Sequence, residues 1–248
     1  MNNISKIIEM YNPSILIDGC RQLKITLSDE QIAQFICYYE MLIEKNKVMN
    51  LTAVTQWEDV QTKHYLDSLL LSGAADLHRP LRVLDLGTGA GFPGIPLKIA
   101  YPNLEMTLAD SLNKRILFLQ DVIHELGLSG VQTVHARAED LGRQDGYRES
   151  FDLVVSRAVA NLSSLAEYCL PFVKIGGCFI SYKAAGVEEE LKHAGKAIRL
   201  LGGGKTQLLS LSLPCTQMER SFVIVQKEKS TSQKYPRKAG IPSRDPLS

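Results

Sequence analysis

The chain has 248 residues, of which 45% are hydrophobic and 22% charged. That is enough apolar surface for one sizeable core, and it excludes a chain that is mainly disordered. The 28 basic side chains nearly balance the 27 acidic ones, leaving a formal net charge of +1. Any nucleic-acid partner therefore has to be held by a local patch, not by an overall positive field. Five scattered cysteines, Cys20, Cys37, Cys169, Cys178 and Cys215, form no C-x-x-C pair. This argues against a disulfide framework or a structural zinc site. The first residues, MNNISKIIEMYNPS, lack a basic stretch followed by a long apolar one, and no uncharged apolar run reaches bilayer length. The expectation is a reduced, cytoplasmic protein with no metal and no membrane partner.

The first part reads as helical. Ser28-Asp29-Glu30-Gln31 has capping-box spacing, and Ile32, Phe35, Ile36, Tyr39, Leu42 and Ile43 then recur with helical period. A polar connection, Lys45 to Thr52, follows. Thr55-Gln56-Trp57-Glu58 offers a second capping box for a helix running toward Leu71. Near Pro80 the pattern changes to strands alternating with helices. Strands are predicted at 82–86, 104–109, 131–135, 151–155 and 178–182. Helices are predicted at 94–101, 112–126, 161–173 and 187–201. The apolar runs at 207–213 and 221–226 have no helix between them and read as an antiparallel pair. Such alternation predicts an α/β fold with a mostly parallel sheet covered on both faces. The segment from Lys227 onward is basic and proline-containing, and reads as an extended tail. The expected division is a helical extension at 1–79, a main domain at 80–228 and a basic tail at 229–248.

The central signal is the strand Val83-Leu84-Asp85-Leu86 running into Gly87-Thr88-Gly89-Ala90-Gly91-Phe92-Pro93-Gly94 and then a helix. Glycine admits a positive φ and lets a ligand approach the backbone. Pro93 and Pro96 suit a helix first turn. Gly89 to Gly94 matches the dinucleotide pattern G-x-G-x-x-G, which alone is weak. The fuller string Asp85-Leu-Gly87-Thr-Gly89-Ala-Gly91 resembles the D-x-G-x-G-x-G loop of class I S-adenosylmethionine methyltransferases. Asp110 ends the second strand about 20 residues on, where a carboxylate accepts ribose hydroxyls in either cofactor class. Its alternative role is to cap the helix that starts near Ser111. Ala138-Glu139-Asp140 follows the third strand, where adenine is commonly contacted, and Ser156-Arg157-Ala158 follows the fourth.

Missing motifs narrow the acceptor. Methylation at cytosine C5 needs a cysteine nucleophile, and no cysteine lies near Ser156-Arg157-Ala158. The Asn/Asp/Ser-Pro-Pro-aromatic motif of adenine amino methylation is absent there too. Guanine N7 carries an in-plane lone pair and no proton, so positioning suffices. The sequence permits N7 chemistry without requiring it.

Several separated segments together carry a closer match. They are Asn50-Leu51-Thr52-Ala53, His64-Tyr65-Leu66-Asp67-Ser68, Leu84 through Pro96, Asp110-Ser111, Lys114-Arg115, Phe118-Leu119, Ala138-Glu139, Ser156-Arg157-Ala158 and Tyr235-Pro236-Arg237-Lys238-Ala239-Gly240-Ile241-Pro242. In order and spacing the chain resembles the bacterial small-subunit ribosomal RNA methyltransferase G family, also called glucose-inhibited division protein B. Ile241 stands where that family commonly has Thr. The resemblance implies a Rossmann-like class I methyltransferase with a seven-stranded sheet and a helical N-terminal extension. It implies S-adenosylmethionine as cofactor and N7 of one guanosine in the 530 loop of 16S ribosomal RNA as acceptor. It also implies cofactor contacts at Gly87, Phe92, Ala138, Glu139 and Arg157, to which position alone adds Gly89 and Asp110. The partner is then 16S ribosomal RNA or the small subunit, not DNA, and the protein is expected to act as a monomer.

RNA contact falls to local basic groups. The candidates are Lys45, Lys47, Arg115, Lys183, Arg220, Arg237 and Lys238. For each, the simpler alternative is a solvated surface charge. Arg237 and Lys238 are favoured by the tail motif, and their removal is expected to weaken RNA binding and spare cofactor binding. His64 belongs to a matching segment, although a lone histidine on a helix is more often structural. A small-molecule methyltransferase, a nicotinamide-dependent oxidoreductase and a non-enzymatic binding module remain the rival readings.

Overall fold

A strand that must be parallel to its neighbour cannot return by a tight turn, so each crossover here carries a helix. The structure, a computed structural model, describes residues 3–157 and 160–247. Helices α1 (Asn3–Tyr11), α2 (Ser14–Gln22) and α3 (Asp29–Met49) come first. A composite helical stretch follows: α4 (Trp57–Val60), a π-helical turn (Gln61–Leu66), α5 (Asp67–Leu69) and a 3-10 turn (Leu70–Gly73). Then come β1 (Arg82–Leu86), α6 (Gly94–Ala100), β2 (Glu105–Asp110), α7 (Asn113–Glu125), β3 (Val131–His135) and α8 (Ala138–Leu141). The chain continues through β4 (Phe151–Ser156), α9 (Leu162–Cys169), β5 (Val173–Lys183), α10 (Glu188–Leu200), β6 (Gly203–Ser212), β7 (Glu219–Lys227) and the short α11 (Ile241–Arg244).

The seven strands lie in the order β3-β2-β1-β4-β5-β7-β6. The first five pair in parallel, and β7 is antiparallel to both β5 and β6. The strand order reverses at β1, so the carboxyl ends of β1, β2 and β4 open onto one crevice, the usual ligand side of such sheets.

Strand alternation builds two cores. Leu153 and Val155 of β4, with Ile180 and Tyr182 of β5, join one cluster. Phe151 and Val154, with Phe179, join the other. These are the two faces of one pleated sheet, so both must be covered. The N-terminal helices cover the first face. Phe35 and Tyr38 of α3 pack with Tyr65, Phe92, Ile95 and Leu119 in a single cluster. The Tyr38 hydroxyl donates to the Ala90 carbonyl, Gln31 Nε2 to Ile99 O (2.6 Å) and Gln34 Nε2 to Leu126 O (2.8 Å). The Ser28 capping box forms as the sequence indicates.

Other sequence expectations are corrected. The polar connection 45–52 is helical through Met49, and Asn50 ends it in a left-handed conformation. The Thr55 capping box does not form; Gln56 takes the N-cap position with no side-chain bond. Strand β5 starts at Val173, five residues before the expected start at Cys178, and runs through Gly176-Gly177. The segment after β7 is not an extended tail. Arg148 donates to the carbonyls of Thr231 (2.6 Å) and Tyr235 (3.0 Å), and Arg143 to that of Pro236. Buried Lys227 donates to Leu170 O (2.6 Å), and Tyr235 is buried in the second core.

Candidate active site

Asp85 organises the glycine loop. It is fully buried at the end of β1. Its Oδ2 accepts from Thr88 Oγ1 (2.7 Å) and from the Gly94 amide (2.8 Å), closing residues 85–94 on one carboxylate. Burial pushes its pKa up to about 6, and Oδ1 has no hydrogen-bond partner among the described residues. Two glycines are required by geometry. At Gly91, with φ +107°, a Cβ would lie 2.7 Å from the Tyr38 hydroxyl; at Gly94 it would lie 2.2 Å from Leu108 Cδ2 and 2.9 Å from Asp85 Oδ2.

Beyond this loop lies a cavity of about 530 Å³, within the range of roughly 300–1,000 Å³ common for small-molecule sites. Gly87, Asp110, Arg115, Ala138, Glu139 and Ser156 line it, with apolar walls from Leu86, Ala109 and Leu165. Asp110 is 3% exposed. Its Oδ2 accepts from the Gly89 amide (2.9 Å) and Arg115 Nη1 (3.2 Å), and its Oδ1 from the Leu112 amide (2.9 Å). It thus joins the glycine loop to the residue before α7, although α7 itself has no side-chain cap. Across the cavity, Glu139 Oε1 accepts from the Gly240 amide at 2.9 Å. Gly240 and Ser243 are themselves part of the lining.

A second cavity, of about 620 Å³, adjoins the first at the end of β4: Ser156 lines one and Arg157 the other. Lys63, His64, Asp67, Lys183, Glu190 and Arg220 line it as well. Asp67 is 4% exposed and grips two arginines, Arg157 Nη1 at 2.9 Å and Arg220 Nε at 2.6 Å. Lys183 Nζ bonds Glu190 Oε1 and the Ala160 carbonyl, both at 2.8 Å. Four cationic groups thus face two carboxylates.

Behind the second cavity, His64 and Arg157 pack on the buried ring of Phe92. The His64 ring lies 4.3 Å from that of Phe92, and the Arg157 guanidinium sits 5.0 Å over the same ring. The irregular π-helical turn turns His64 into this position; such turns concentrate at functional sites. His64 Nε2 meets Thr52 Oγ1 at 2.8 Å. Burial first, and then Arg157, hold its pKa down to about 4, so the ring is neutral at physiological pH. A depressed histidine stabilises the fold above its ordinary value of 6.5, and that stabilisation is lost as pH falls toward 4. His64→Gln should therefore lose less thermal stability than the wild type between pH 7 and pH 4.5. Parallel melting curves across that range would remove His64 as the titrating group.

The structure sorts the residues singled out from the sequence. Gly87, Asp110, Ala138 and Glu139 meet around the first cavity, and Gly89 joins through its amide. Arg157 lines the second cavity, and Phe92 is buried beneath its guanidinium and lines neither cavity. Ala158 lies outside the described residues. Arg115, read from the sequence as an RNA contact, lines the first cavity and pairs with Asp110. Lys183 and Arg220 line the second cavity. Arg237 is turned inward, onto fully buried Glu167 at 2.8 Å. Lys47 and Lys238 are exposed; Lys47 pairs with Glu44, and Lys45 lies 3.8 Å from Asp121. Asp67, which the sequence reading named only within a matching segment, and Glu190, which it did not single out, also line the second cavity.

This sheet order, with the site at the carboxyl ends of β1, β2 and β4, is that of a Rossmann-like class I methyltransferase. Solved structures share the fold. A methyltransferase from Pyrococcus furiosus aligns over 79% of this chain and 97% of its own, at TM-score 0.54 and 15% identity. The S-adenosylmethionine-dependent methyltransferase SibL aligns over 80% and 74%, at TM-score 0.51 and 18% identity. The chain belongs to the rRNA small subunit methyltransferase G family, whose model matches residues 31–221. The ribosomal RNA small subunit methyltransferase G of Lachnoclostridium phytofermentans is 51% identical over 96% of this chain and 98% of its own. That of Alkaliphilus metalliredigens is 47% identical over 96% and 100%.

Proposed function

We propose that the chain transfers the methyl group of S-adenosylmethionine to N7 of a guanosine in the 530 loop of 16S ribosomal RNA, acting as a cytoplasmic monomer. The observation that carries this reading is the adjacency of two unlike cavities at the end of β4, one built for a nucleoside and one rimmed with cations. Family membership supports the RNA substrate.

The first cavity fits the cofactor by its donor set. Asp110 stands where ribose hydroxyls can be accepted, Ala138 and Glu139 border the purine end, and the walls are apolar. Gly87 keeps the backbone open to the ligand, and Gly89 orients Asp110. When bound, the cofactor supplies a methyl group activated on a sulfonium. The second cavity takes the acceptor base. The Asp67-held Arg157, packed over Phe92, fixes the boundary across which the two must align, since in-line transfer depends on alignment. Guanine N7 offers its lone pair without losing a proton. No general base is then needed, and neutral His64 serves by packing against Phe92.

Arg220 and Lys183 form a fixed positive rim for the phosphates flanking the base, with exposed Lys47 and Lys238 as outer contacts. Arg115 lines the first cavity and Arg237 pairs with Glu167 beside it, so both serve the cofactor side. The test is transfer of labelled methyl from S-adenosylmethionine to small ribosomal subunits from a strain lacking this activity, with mapping of the modified base. Label at a single guanine N7 is the expected result. Absence of label on subunits and free 16S RNA, from protein that binds cofactor, would move the search to small-molecule acceptors.

A further inference from the structure

We propose that residues 237–243 belong to the cofactor site. They close the purine end of the first cavity, and the Arg237–Glu167 ion pair is the clasp that holds them there. The proposal rests on the cofactor reading of that cavity.

The contacts run along the whole segment. Thr231 is buried, and its amide donates to Glu149 Oε1 at 2.6 Å, which starts the return of the chain toward the sheet. Arg143 and Arg148 then hold the carbonyls of Thr231, Ser232, Gln233, Tyr235 and Pro236. At Arg237 the fastening is strongest. Its amide donates to Glu167 Oε1 at 2.7 Å, Nε reaches both carboxylate oxygens (3.0 and 3.1 Å), and Nη2 reaches Oε2 at 2.8 Å. Glu167 is 0% exposed, so no solvent replaces this partner. Three residues on, the Gly240 amide fixes Glu139 from the cavity side, and Ser164 Oγ donates to the Pro242 carbonyl at 2.7 Å. Gly240 and Ser243 then face the space bounded opposite by Gly87 and Asp110. The basic motif that the sequence assigned to RNA therefore turns its arginine inward, and only Lys238 is left facing out. This reverses the expectation that removing Arg237 spares cofactor binding.

Arg237 is a positioning residue: it acts through Gly240 and Glu139. Titration calorimetry with S-adenosylhomocysteine should show Arg237→Ala binding at least about tenfold more weakly than the wild type. Arg237→Lys, which keeps the charge but not the planar fork, should fall between them. Ser243→Phe fills the cavity side without touching the clasp and should also weaken binding. A readout that needs no substitution is trypsin cleavage after Lys238 in the wild-type protein. Saturating S-adenosylhomocysteine should slow it about fivefold or more, because the ligand binds only the closed wall. Near-wild-type affinity in both Arg237→Ala and Ser243→Phe, with cleavage unaffected by ligand, overturns the proposal while the cofactor reading stands. A wild-type protein that binds no S-adenosylhomocysteine overturns the cofactor reading, and the proposal with it.

Discussion

Asp67→Ala is expected to cost about 3 kcal/mol of stability and to lower turnover by about a hundredfold or more, with cofactor affinity much less affected. The stability figure follows from breaking a buried charge pair, which costs about 3–5 kcal/mol when the partner is left without compensation. The lower end applies because the two arginine side chains keep 20% and 25% of their surface exposed. The turnover figure follows from misplacement: a shift of about 1 Å in a positioned group can cost about 100-fold. Asp67 is the common anchor of Arg157, which follows β4, and Arg220, on β7. Without it the two cations repel each other across the acceptor cavity. Asp67→Asn, with one acceptor oxygen and no charge, should fall between wild type and alanine. Single-turnover methyl transfer and chemical denaturation on the same preparations separate the two effects. Turnover that tracks only the folded fraction would reduce Asp67 to a structural role.

Asp85→Ala should have the largest effect on cofactor binding, a loss of about a hundredfold or more, with roughly 2–3 kcal/mol of stability. One carboxylate oxygen satisfies both the Thr88 hydroxyl and the Gly94 amide, and each buried donor left unpaired costs about 1–3 kcal/mol. The loop cannot compensate by moving inward, because Gly94 already lies against Leu108. Asp85 also has a pH signature. A carboxyl whose pKa is raised from 3.8 to about 6 favours folding in its protonated form. That contribution is full below 3.8 and is lost as pH rises through 6. The stability of the wild type relative to Asp85→Asn should therefore be greater at pH 5 than at pH 7.5, the reverse of the trend at His64. Denaturation midpoints at the two pH values decide it. A difference that does not change with pH would mean that the carboxyl does not titrate in this window.

The sheet was legible because its chemistry is local. Strands β1 and β3 lie at the residues their apolar runs indicated, and the loop between β1 and α6 stood out by its density of glycines. What escaped had no local signal. Four residues of α8 are too few to show a period. The π-helical turn changes how the chain winds without changing its composition, so its aiming of His64 could not be read. Asp67 sits among apolar neighbours, and its partners lie 90 and 153 residues away. In the sequence Arg237 reads as an RNA contact because its partner, Glu167, lies 70 residues away. Charge pairing is decided by the fold, and single positions carry no mark of it.

The hold that α3 keeps on the glycine loop and on α7 has a consequence for synthesis. Its apolar face leaves the ribosome with only α1 and α2 already made, before the glycine loop and α7 exist for it to bury against. Gln31, Gln34 and Tyr38 find their acceptors at Ile99, Leu126 and Ala90. At about 5–20 residues per second, the last of these emerges on the order of 4–15 s after the helix is complete. For that interval Phe35 and Tyr38 have Tyr65 as a neighbour but lack part of the cluster that Phe92, Ile95 and Leu119 complete. The helix born among the first is among the later ones to dock, and chaperone binding to the growing polypeptide should be concentrated on residues 29–49.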